Sequence, residues 1–245
     1  MKPFLLLATR ADDAAADEEY AAFLRFSGLD ERDLRRHRLE RTPLGDVDLD
    51  DWSGILLGGG PFNVSDPAAK KTPVQNRVEA ELSALIERIV DADFPFLGAC
   101  YGIGTLGGSQ GALVDRTYSE PVGAVEVSVV APDPLFDGVP QLFQAFVGHK
   151  EAISVLPPHA TLLASSPTCP VQAFRIGRHV YATQFHPELD AEGLCTRVDV
   201  YKYAGYFKPE EADEIKALAR ASDVRHPPAV LRAFVDQHTR AAARA

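Results

Sequence analysis

A cysteine between two glycines stands in the first half of the chain, in the stretch Gly98-Ala99-Cys100-Tyr101-Gly102. Residues of strand character precede it and residues of helical character follow it, which is the arrangement of a nucleophile elbow. The small neighbours suit such a tight turn, because a Cβ atom at either glycine would crowd it. The positive end of the helix macrodipole would also favour the thiolate form. These residue types predict that Cys100 is a nucleophile.

A histidine and an acid follow a second strand-like run, in Gln184-Phe185-His186-Pro187-Glu188. The imidazole could accept the proton of a nucleophile, and the carboxylate two residues later could orient the ring and stabilise its charged form. A lone cysteine at the end of a strand is more often a buried core residue. This second motif is what favours a catalytic triad of cysteine, histidine and glutamate.

A third motif is a run of glycines, Gly58-Gly59-Gly60, that follows the apolar residues 55–57. Ligands gather at the carboxyl ends of parallel strands, so this loop is expected to lie beside the cysteine elbow. Backbone N–H groups from the loop and from Tyr101 could then face a developing oxyanion. A glycine run alone is more often a plain turn, so this prediction depends on the three motifs converging.

Strand-length apolar runs alternate with amphipathic helical segments through most of the chain. Strands are predicted at residues 4–8, 55–57, 94–99, 122–130, 143–147, 161–164, 171–176 and 179–185, with a further strand near 37–41. Helices are predicted at residues 17–26 and 73–90. The alternation predicts an α/β fold: a doubly wound, mainly parallel, flavodoxin-like sheet with the nucleophile at a strand-to-helix elbow.

The chain after residue 190 is polar and helical in character. Prolines suited to helix starts occur at position 209 and at positions 227–228. We therefore expect one domain over residues 1–190 and a helical extension over residues 191–245 that packs on the same domain.

Composition excludes several classes of function. Lys plus Arg total 25 and Asp plus Glu total 35, which gives a net charge of −10. Without a basic stripe, nucleic acid is not an expected partner. No apolar run approaches the roughly 20 residues that cross a bilayer, and the short apolar start reads as a first strand. Three cysteines in unlike contexts form no even disulfide framework, so a cytoplasmic protein is predicted.

No metal site or cofactor is expected. The histidines at positions 149, 159, 179 and 186 are scattered at unlike spacings, whereas zinc sites use closer ligand pairs. The proposed chemistry needs only side chains and backbone N–H groups.

The three motifs, in this order and spacing, resemble those of class I glutamine amidotransferases, especially the glutaminase domain of GMP synthetase. Residues 134–140 and 149–157 also look like that family, and the resemblance covers roughly residues 40–190. No nucleotide-binding Ser-Gly-Gly loop follows residue 190, so ATP binding is not expected.

The resemblance implies that Cys100 attacks a side-chain amide to form a γ-glutamyl thioester, with ammonia leaving. His186 would be the base and then the acid, and Glu188 its orienting partner. Gly60 and Tyr101 would supply the N–H groups of the oxyanion hole. The other positions where substrate contacts are implied are Gly59, Gly104, Gly148, His149 and Gln184. In the family, a synthetase or another acceptor-binding domain takes the ammonia.

Two positions depart from the family pattern. Gly104 stands where the family usually has Gln, Glu or His, and Gly148 stands where it has a polar side chain such as Ser or Asn. Both usual side chains help to hold the amino-acid end of glutamine. The resemblance therefore implies a roomier and less polar pocket here.

Three functions stay open from the sequence. One is a stand-alone amidotransferase that hydrolyses glutamine and passes ammonia to a separate synthase. Another is a γ-glutamyl peptidase or related amidohydrolase that acts on γ-glutamyl peptides or conjugates. A binding module that has lost activity is the third, and the intact cysteine, histidine and glutamate speak against it.

Overall fold

A computed structural model describes residues 2–242, with side chains through residue 239. The strands are β1 (Phe4–Ala8), β2 (Leu34–Arg38), β3 (Gly54–Leu57), β4 (Phe96–Ala99), β5 (Leu113–Asp115), β6 (Glu120–Val129), β7 (Leu142–His149), β8 (Ala152–Val155), β9 (Thr161–Ser165), β10 (Ala173–Ile176) and β11 (Val180–Thr183). The helices are α1 (Asp13–Ser27), α2 (Pro73–Asp91), α3 (Tyr101–Ser109), α4 (Ala191–Val200), α5 (Ala212–Ala221) and α6 (Pro227–Ala242). Among these residues, no helix combines the length and apolar character needed to span a membrane.

One large sheet has the strand order β2-β1-β3-β4-β11-β10-β9-β6-β7. The first five strands in this order are parallel, and their order is that of a flavodoxin-like fold. From β11 to β7 the pairing is antiparallel, which the sequence pattern did not predict. A separate pair, β5 and β8, lies beside the sheet. The parallel half is where the carboxyl ends of β3, β4 and β11 lie side by side.

Helices cover both faces of the parallel half, so the doubly wound arrangement is confirmed. Alternate residues of β1 enter different cores: Phe4 packs with α1 and α6, and Leu5 packs with α2 and α3. Every residue of β1 is buried, as expected for a parallel strand covered on both sides.

Helix boundaries follow capping chemistry. Asp12 accepts a hydrogen bond from the N–H of Ala15 at the start of α1, and Gly28 ends the helix with φ +72°. Thr72 caps α2 in the same way, directly before Pro73. Both helices lie where the sequence predicted them, with longer ends.

Strand β2 begins three residues earlier than predicted. It lies at the edge of the sheet, where Leu34 pairs with Phe4, and it carries mainly basic side chains. Charged residues on an edge strand discourage pairing with another chain. Because these residues are basic, the sequence of β2 contains no apolar run that would indicate where the strand begins.

The helices after residue 190 contact the same sheet. Helix α4 packs on α1, and α6 packs on α1 and on the sheet face that holds Phe4. Four side chains of α6 are buried in that core: Val230, Leu231, Phe234 and Val235. We propose that residues 191–242 extend the same domain as the residues before them. The last three residues of the predicted extension, 243–245, lie outside the described part of the chain.

Candidate active site

The turn between β4 and α3 holds Cys100 in a rare backbone conformation. Its φ is +52° and its ψ is −90°, and positive φ is uncommon for any residue with a Cβ atom. The Cys100 N–H donates a 2.8 Å hydrogen bond to the carbonyl of Thr183, which ties the end of β4 to the end of β11. A Cβ atom at Gly98 would lie 2.9 Å from the Cα of Gly102. Gly98 is therefore required for the close turn, whereas a Cβ atom at Gly102 would meet Leu57 only at an ordinary contact distance of 3.6 Å.

The imidazole of His186 is held from one side by two charged groups. Its Nδ1 lies 2.8 Å from Oε1 of Glu188 and 3.1 Å from a guanidinium nitrogen of Arg197. Arg197 also donates to the same Glu188 oxygen at 2.9 Å. The backbone N–H of His186 donates a 3.1 Å hydrogen bond to the backbone carbonyl of Phe146, which fixes the loop after β11 against β7.

Neighbouring negative charges raise the pKa of the His186 imidazole to about 9. Burial alone would lower it, but the negative charges of Glu188 and Cys100 outweigh burial. Burial would likewise raise the pKa of Glu188, whereas the charges of His186 and Arg197 hold it well below its usual range. The histidine and the glutamate are therefore both charged near neutral pH.

Further charges are buried behind this pair. Arg197 lies 3.5 Å from Oε2 of Glu18 and 3.8 Å from Oε1 of Glu19. The Nε of Arg10 donates to Glu19 at 2.8 Å. With Glu188, the group holds three carboxylates against two guanidinium groups, and the His186 imidazolium supplies the balancing positive charge.

The glycine loop after β3 approaches the histidine closely. A Cβ atom at Gly59 would lie 2.6 Å from Cε1 of His186, and one at Gly60 would overlap the hydroxyl of Thr9. Helix α3 begins at Tyr101, so its N–H is among those of a first helical turn, which have no acceptor within the helix. Gly60 of the loop and Tyr101 at this helix end line a common pocket with Cys100.

Two pockets meet at Cys100. The His186 pocket is lined by Arg10, Gly60, Cys100, Val122, Val147, Gly148, His186, Leu189, Leu194, Arg197, Val198, Tyr201, Tyr206 and Phe207. The Tyr101 pocket is lined by Gly60, Phe62, Asn63, Cys100, Tyr101, Gly148, His149, Lys150, Glu151, Gln184 and Tyr206. The first is mainly apolar apart from its charged end, and the second has polar and apolar walls in about equal measure.

Comparison with known proteins identifies the family. Residues 33–193 match the family model of glutamine amidotransferase class-I. The chain belongs to the class I glutamine amidotransferase family. This finding confirms the resemblance that the motifs indicated.

Curated proteins with similar sequences include GMP synthases and their subunits. The chain is 34% identical over 144 residues to a subunit of the glutamine-hydrolyzing GMP synthase from Thermoplasma acidophilum, covering 58% of this chain and 66% of that subunit. It is 30% identical over 149 residues to the corresponding subunit from Pyrococcus abyssi, covering 60% and 72%. The match to the longer GMP synthase of Parafrankia sp., 35% over 138 residues, covers 56% of this chain but only 23% of that protein.

Solved structures confirm the amidotransferase fold. A glutamine amidotransferase from Thermotoga maritima superimposes with a TM-score of 0.77 at 21% identity, covering 97% of this chain and 98% of that one. A protein from Thermoplasma acidophilum, described as a putative GMP synthase subunit, gives a TM-score of 0.68 at 23% identity, covering 99% and 97%.

One departure from the amidotransferase pattern has a structural cause. A Cβ atom at Gly104 would lie 2.8 Å from Oε1 of Glu151. That carboxylate accepts hydrogen bonds from the N–H groups of Val64 at 2.8 Å and Ser65 at 2.7 Å. The space of the missing side chain therefore holds a buried carboxylate, so the predicted roomier and less polar surroundings of Gly104 are wrong. Gly104 itself lines neither pocket.

The other predicted substrate contacts surround the Tyr101 pocket. A Cβ atom at Gly148 would lie 3.0 Å from Cγ2 of Val122, so this glycine makes room for an apolar neighbour. His149 is buried, with Nε2 2.8 Å from Glu120 and Nδ1 2.8 Å from the carbonyl of Glu151. The side-chain oxygen of Gln184 is also buried, without a hydrogen-bond partner among the described residues.

One group of side chains in residues 2–242 has metal-ligand spacing, although no metal was predicted. Potential ligand atoms of Glu120, His149 and Cys169 lie within 4.8 Å of one another. The glutamate already accepts hydrogen bonds from His149 and, at 2.7 Å, from Gln172. Burial raises the pKa of the Cys169 thiol to about 12, which disfavours the thiolate that binds metals. We read the group as a hydrogen-bonded core network.

Sequence reasoning missed Arg10 and Arg197. Arg10 follows β1, whose carboxyl end lies at the same edge as the motifs, so its position was a usable signal. Arg197 lies within α4, and nothing in the sequence indicates that this turn of helix faces the loop after β11.

Proposed function

We propose that this amidotransferase family member is a cysteine-dependent amidohydrolase that hydrolyses the side-chain amide of glutamine. The observation that carries the proposal is that His186, paired with the buried Glu188, lines one pocket with Cys100. The family assignment supports glutamine hydrolysis and ammonia transfer in general.

Formation of a thioester would be the first step. His186 takes the proton of the Cys100 thiol, the thiolate sulfur attacks the amide carbon, and the oxyanion accepts hydrogen bonds from the N–H groups of Gly60 and Tyr101. His186 uses the ring nitrogen that does not face Glu188 to donate a proton to the leaving nitrogen. The carbon–nitrogen bond breaks and ammonia leaves.

Hydrolysis of the thioester would reverse these roles. His186 accepts a proton from water, the resulting hydroxide adds to the thioester carbon, and the carbon–sulfur bond breaks to release glutamate. Because the pKa of His186 is about 9, the ring keeps the proton taken from Cys100 at neutral pH until it donates that proton to the leaving nitrogen.

An ammonia acceptor and a cellular location complete the proposal. Two relatives are described as subunits of GMP synthase, which supports transfer of ammonia to a separate synthase. The three cysteines are free, which supports a cytoplasmic location.

A γ-glutamyl amidohydrolase is the second candidate. The observation that favours it is the His186 pocket, which continues past Cys100 on the side of the proton donor. Ammonia needs no such pocket, whereas a substituted leaving group would occupy it.

We predict that Cys100→Ala lowers glutamine hydrolysis by at least about a thousandfold, because the covalent step is lost. Cys195→Ala is the matched control, since that buried thiol lies near the carbonyl of Lys216 and lines neither pocket. Ammonia and glutamate release should be followed with purified protein, with thermal unfolding as the check on folding. Wild-type rates in Cys100→Ala would refute the proposal.

A further inference from the structure

The walls of the His186 pocket are apolar next to the reacting cysteine. They are formed by Val122, Val147, Leu189, Leu194, Val198 and Phe207. The cavity has a volume of about 60 Å³. One buried water needs about 10–15 Å³ on this measure, so the cavity has room for about four waters or a short alkyl group.

The position of His186, the general acid, decides which part of a substrate faces each pocket. A general acid must lie within hydrogen-bond reach of the leaving nitrogen. His186 lines the apolar pocket and does not line the Tyr101 pocket. A substituent on the leaving nitrogen therefore points into the His186 pocket, and the glutamyl part extends the other way.

The Tyr101 pocket has a volume of about 20 Å³, so it holds only the part of the glutamyl group that lies next to the reacting carbon. Its lining includes the buried carboxylate of Glu151, the cation of Lys150 and the unpartnered side-chain oxygen of Gln184. These groups complement the ammonium and carboxylate of an amino acid.

Charge in the His186 pocket argues against an acidic leaving group. Arg10 and Arg197 line its end, but they are paired with Glu19 at 2.8 Å and Glu188 at 2.9 Å. With Glu18, the carboxylates outnumber the guanidinium groups by one before His186 is counted. A leaving group with its own carboxylate would add negative charge to a cluster that is already balanced.

We propose that the His186 pocket is a subsite for the substituent on the leaving nitrogen, and that the substrates include γ-glutamyl amides of small uncharged alkylamines. This inference rests on the proposed function. The carbon–nitrogen bond breaks as in glutamine: water supplies the oxygen and hydrogen, and the products are glutamate and the alkylamine.

A substrate panel tests the subsite. The rates to compare are kcat/KM of the wild-type protein for glutamine, γ-glutamylmethylamide, γ-glutamylethylamide and γ-glutamylglycine. Each buried CH₂ is worth about fourfold, so the ethylamide should exceed glutamine by about tenfold. γ-Glutamylglycine should fall below the ethylamide because its carboxylate enters the balanced cluster.

Variants of Val122 test where the substituent binds. This valine is partly buried against Gly148, at the wall of the pocket. Val122→Phe should reduce the ratio of ethylamide to glutamine kcat/KM to about one, and Val122→Ala should move the preference toward a propylamide. The ratio is measured on one sample, so it is independent of the fraction folded. Val155→Phe, at a 58% exposed position on β8, is the control and should leave the ratio unchanged.

The outcomes separate the two proposals. If the wild type hydrolyses glutamine but the ethylamide no faster, or γ-glutamylglycine fastest, the subsite inference is overturned and the proposed function stands. An unchanged ratio in Val122→Phe also overturns it. A wild type that is inert toward every amide overturns the proposed function itself.

Discussion

Cys100 is positioned by backbone geometry more than by its own side chain. Its positive φ costs of the order of 1–3 kcal/mol for a residue with a Cβ atom. The contact between Gly98 and Gly102 and the hydrogen bond to Thr183 maintain the turn. Such strain is common at functional sites and rare elsewhere.

Glu188 controls the charge of His186, which gives a prediction for Glu188→Gln. The negative charge of Glu188 raises the pKa of His186 to about 9, so an uncharged amide lets burial lower it. The first step needs the imidazolium, so the alkaline limb of kcat/KM should move to lower pH. We also expect a rate loss of about 10²–10⁴.

Profiles of kcat/KM against pH for wild type and Glu188→Gln check this shift. Glu192→Gln is the control, because Glu192 pairs with Arg220 at the surface. An alkaline limb that stays at the wild-type pH would mean that Glu188 does not set the protonation of His186.

The sequence predicted residues whose partners lie within a short motif. His186 and Glu188 are two positions apart, and their pairing could be inferred directly. The contacts of Arg197 and of Glu151 depend on which elements pack together, which no local pattern records. For the same reason, the polar surroundings of Gly104 were not foreseen.

At the scale of elements, α6 completes the core on one face of the sheet. The ring of Phe234 meets the rings of Phe4 and Tyr181 edge-on, each with centroids 6.3 Å apart. A helix that buries such a residue contributes to the stability of the strands that carry the site.

We predict that Phe234→Ala lowers the free energy of unfolding by about 3–5 kcal/mol, because it leaves a cavity in this core. Leu218→Ala, at a 63% exposed position of α5, should change it by less than about 0.5 kcal/mol. Urea unfolding of both variants measures the difference. A loss below about 1 kcal/mol in Phe234→Ala would contradict the idea that residues 191–242 extend a single domain.

Elements with apolar runs were predicted well, and others were not. Strands β1 and β4 are buried on both faces, so their sequences stand out. Strand β2 is basic at the sheet edge, and β5 is only three residues long. Short or charged strands form because of their neighbours, and single-sequence patterns cannot detect that cause.

At the scale of the molecule, the parallel strands explain why distant motifs meet. The loops after β3, β4 and β11 leave the same edge of neighbouring strands, so the glycine loop, Cys100 and His186 converge. This convergence could be predicted from the alternation of strands and helices. The division of the site into an apolar pocket and a mixed polar and apolar one could not, because α4 and residues 201–207 form part of the apolar walls.

The central claim is that the thiol of Cys100 becomes acylated during turnover. The most direct measurement is acid quenching of the protein within milliseconds of mixing with glutamine, followed by mass spectrometry of the intact chain and its peptides. We predict a γ-glutamyl adduct on the peptide that contains Cys100, and no adduct in Cys100→Ala. Glutamine turnover with the adduct on Cys169 or Cys195 instead, or with undiminished turnover in Cys100→Ala, would contradict the claim.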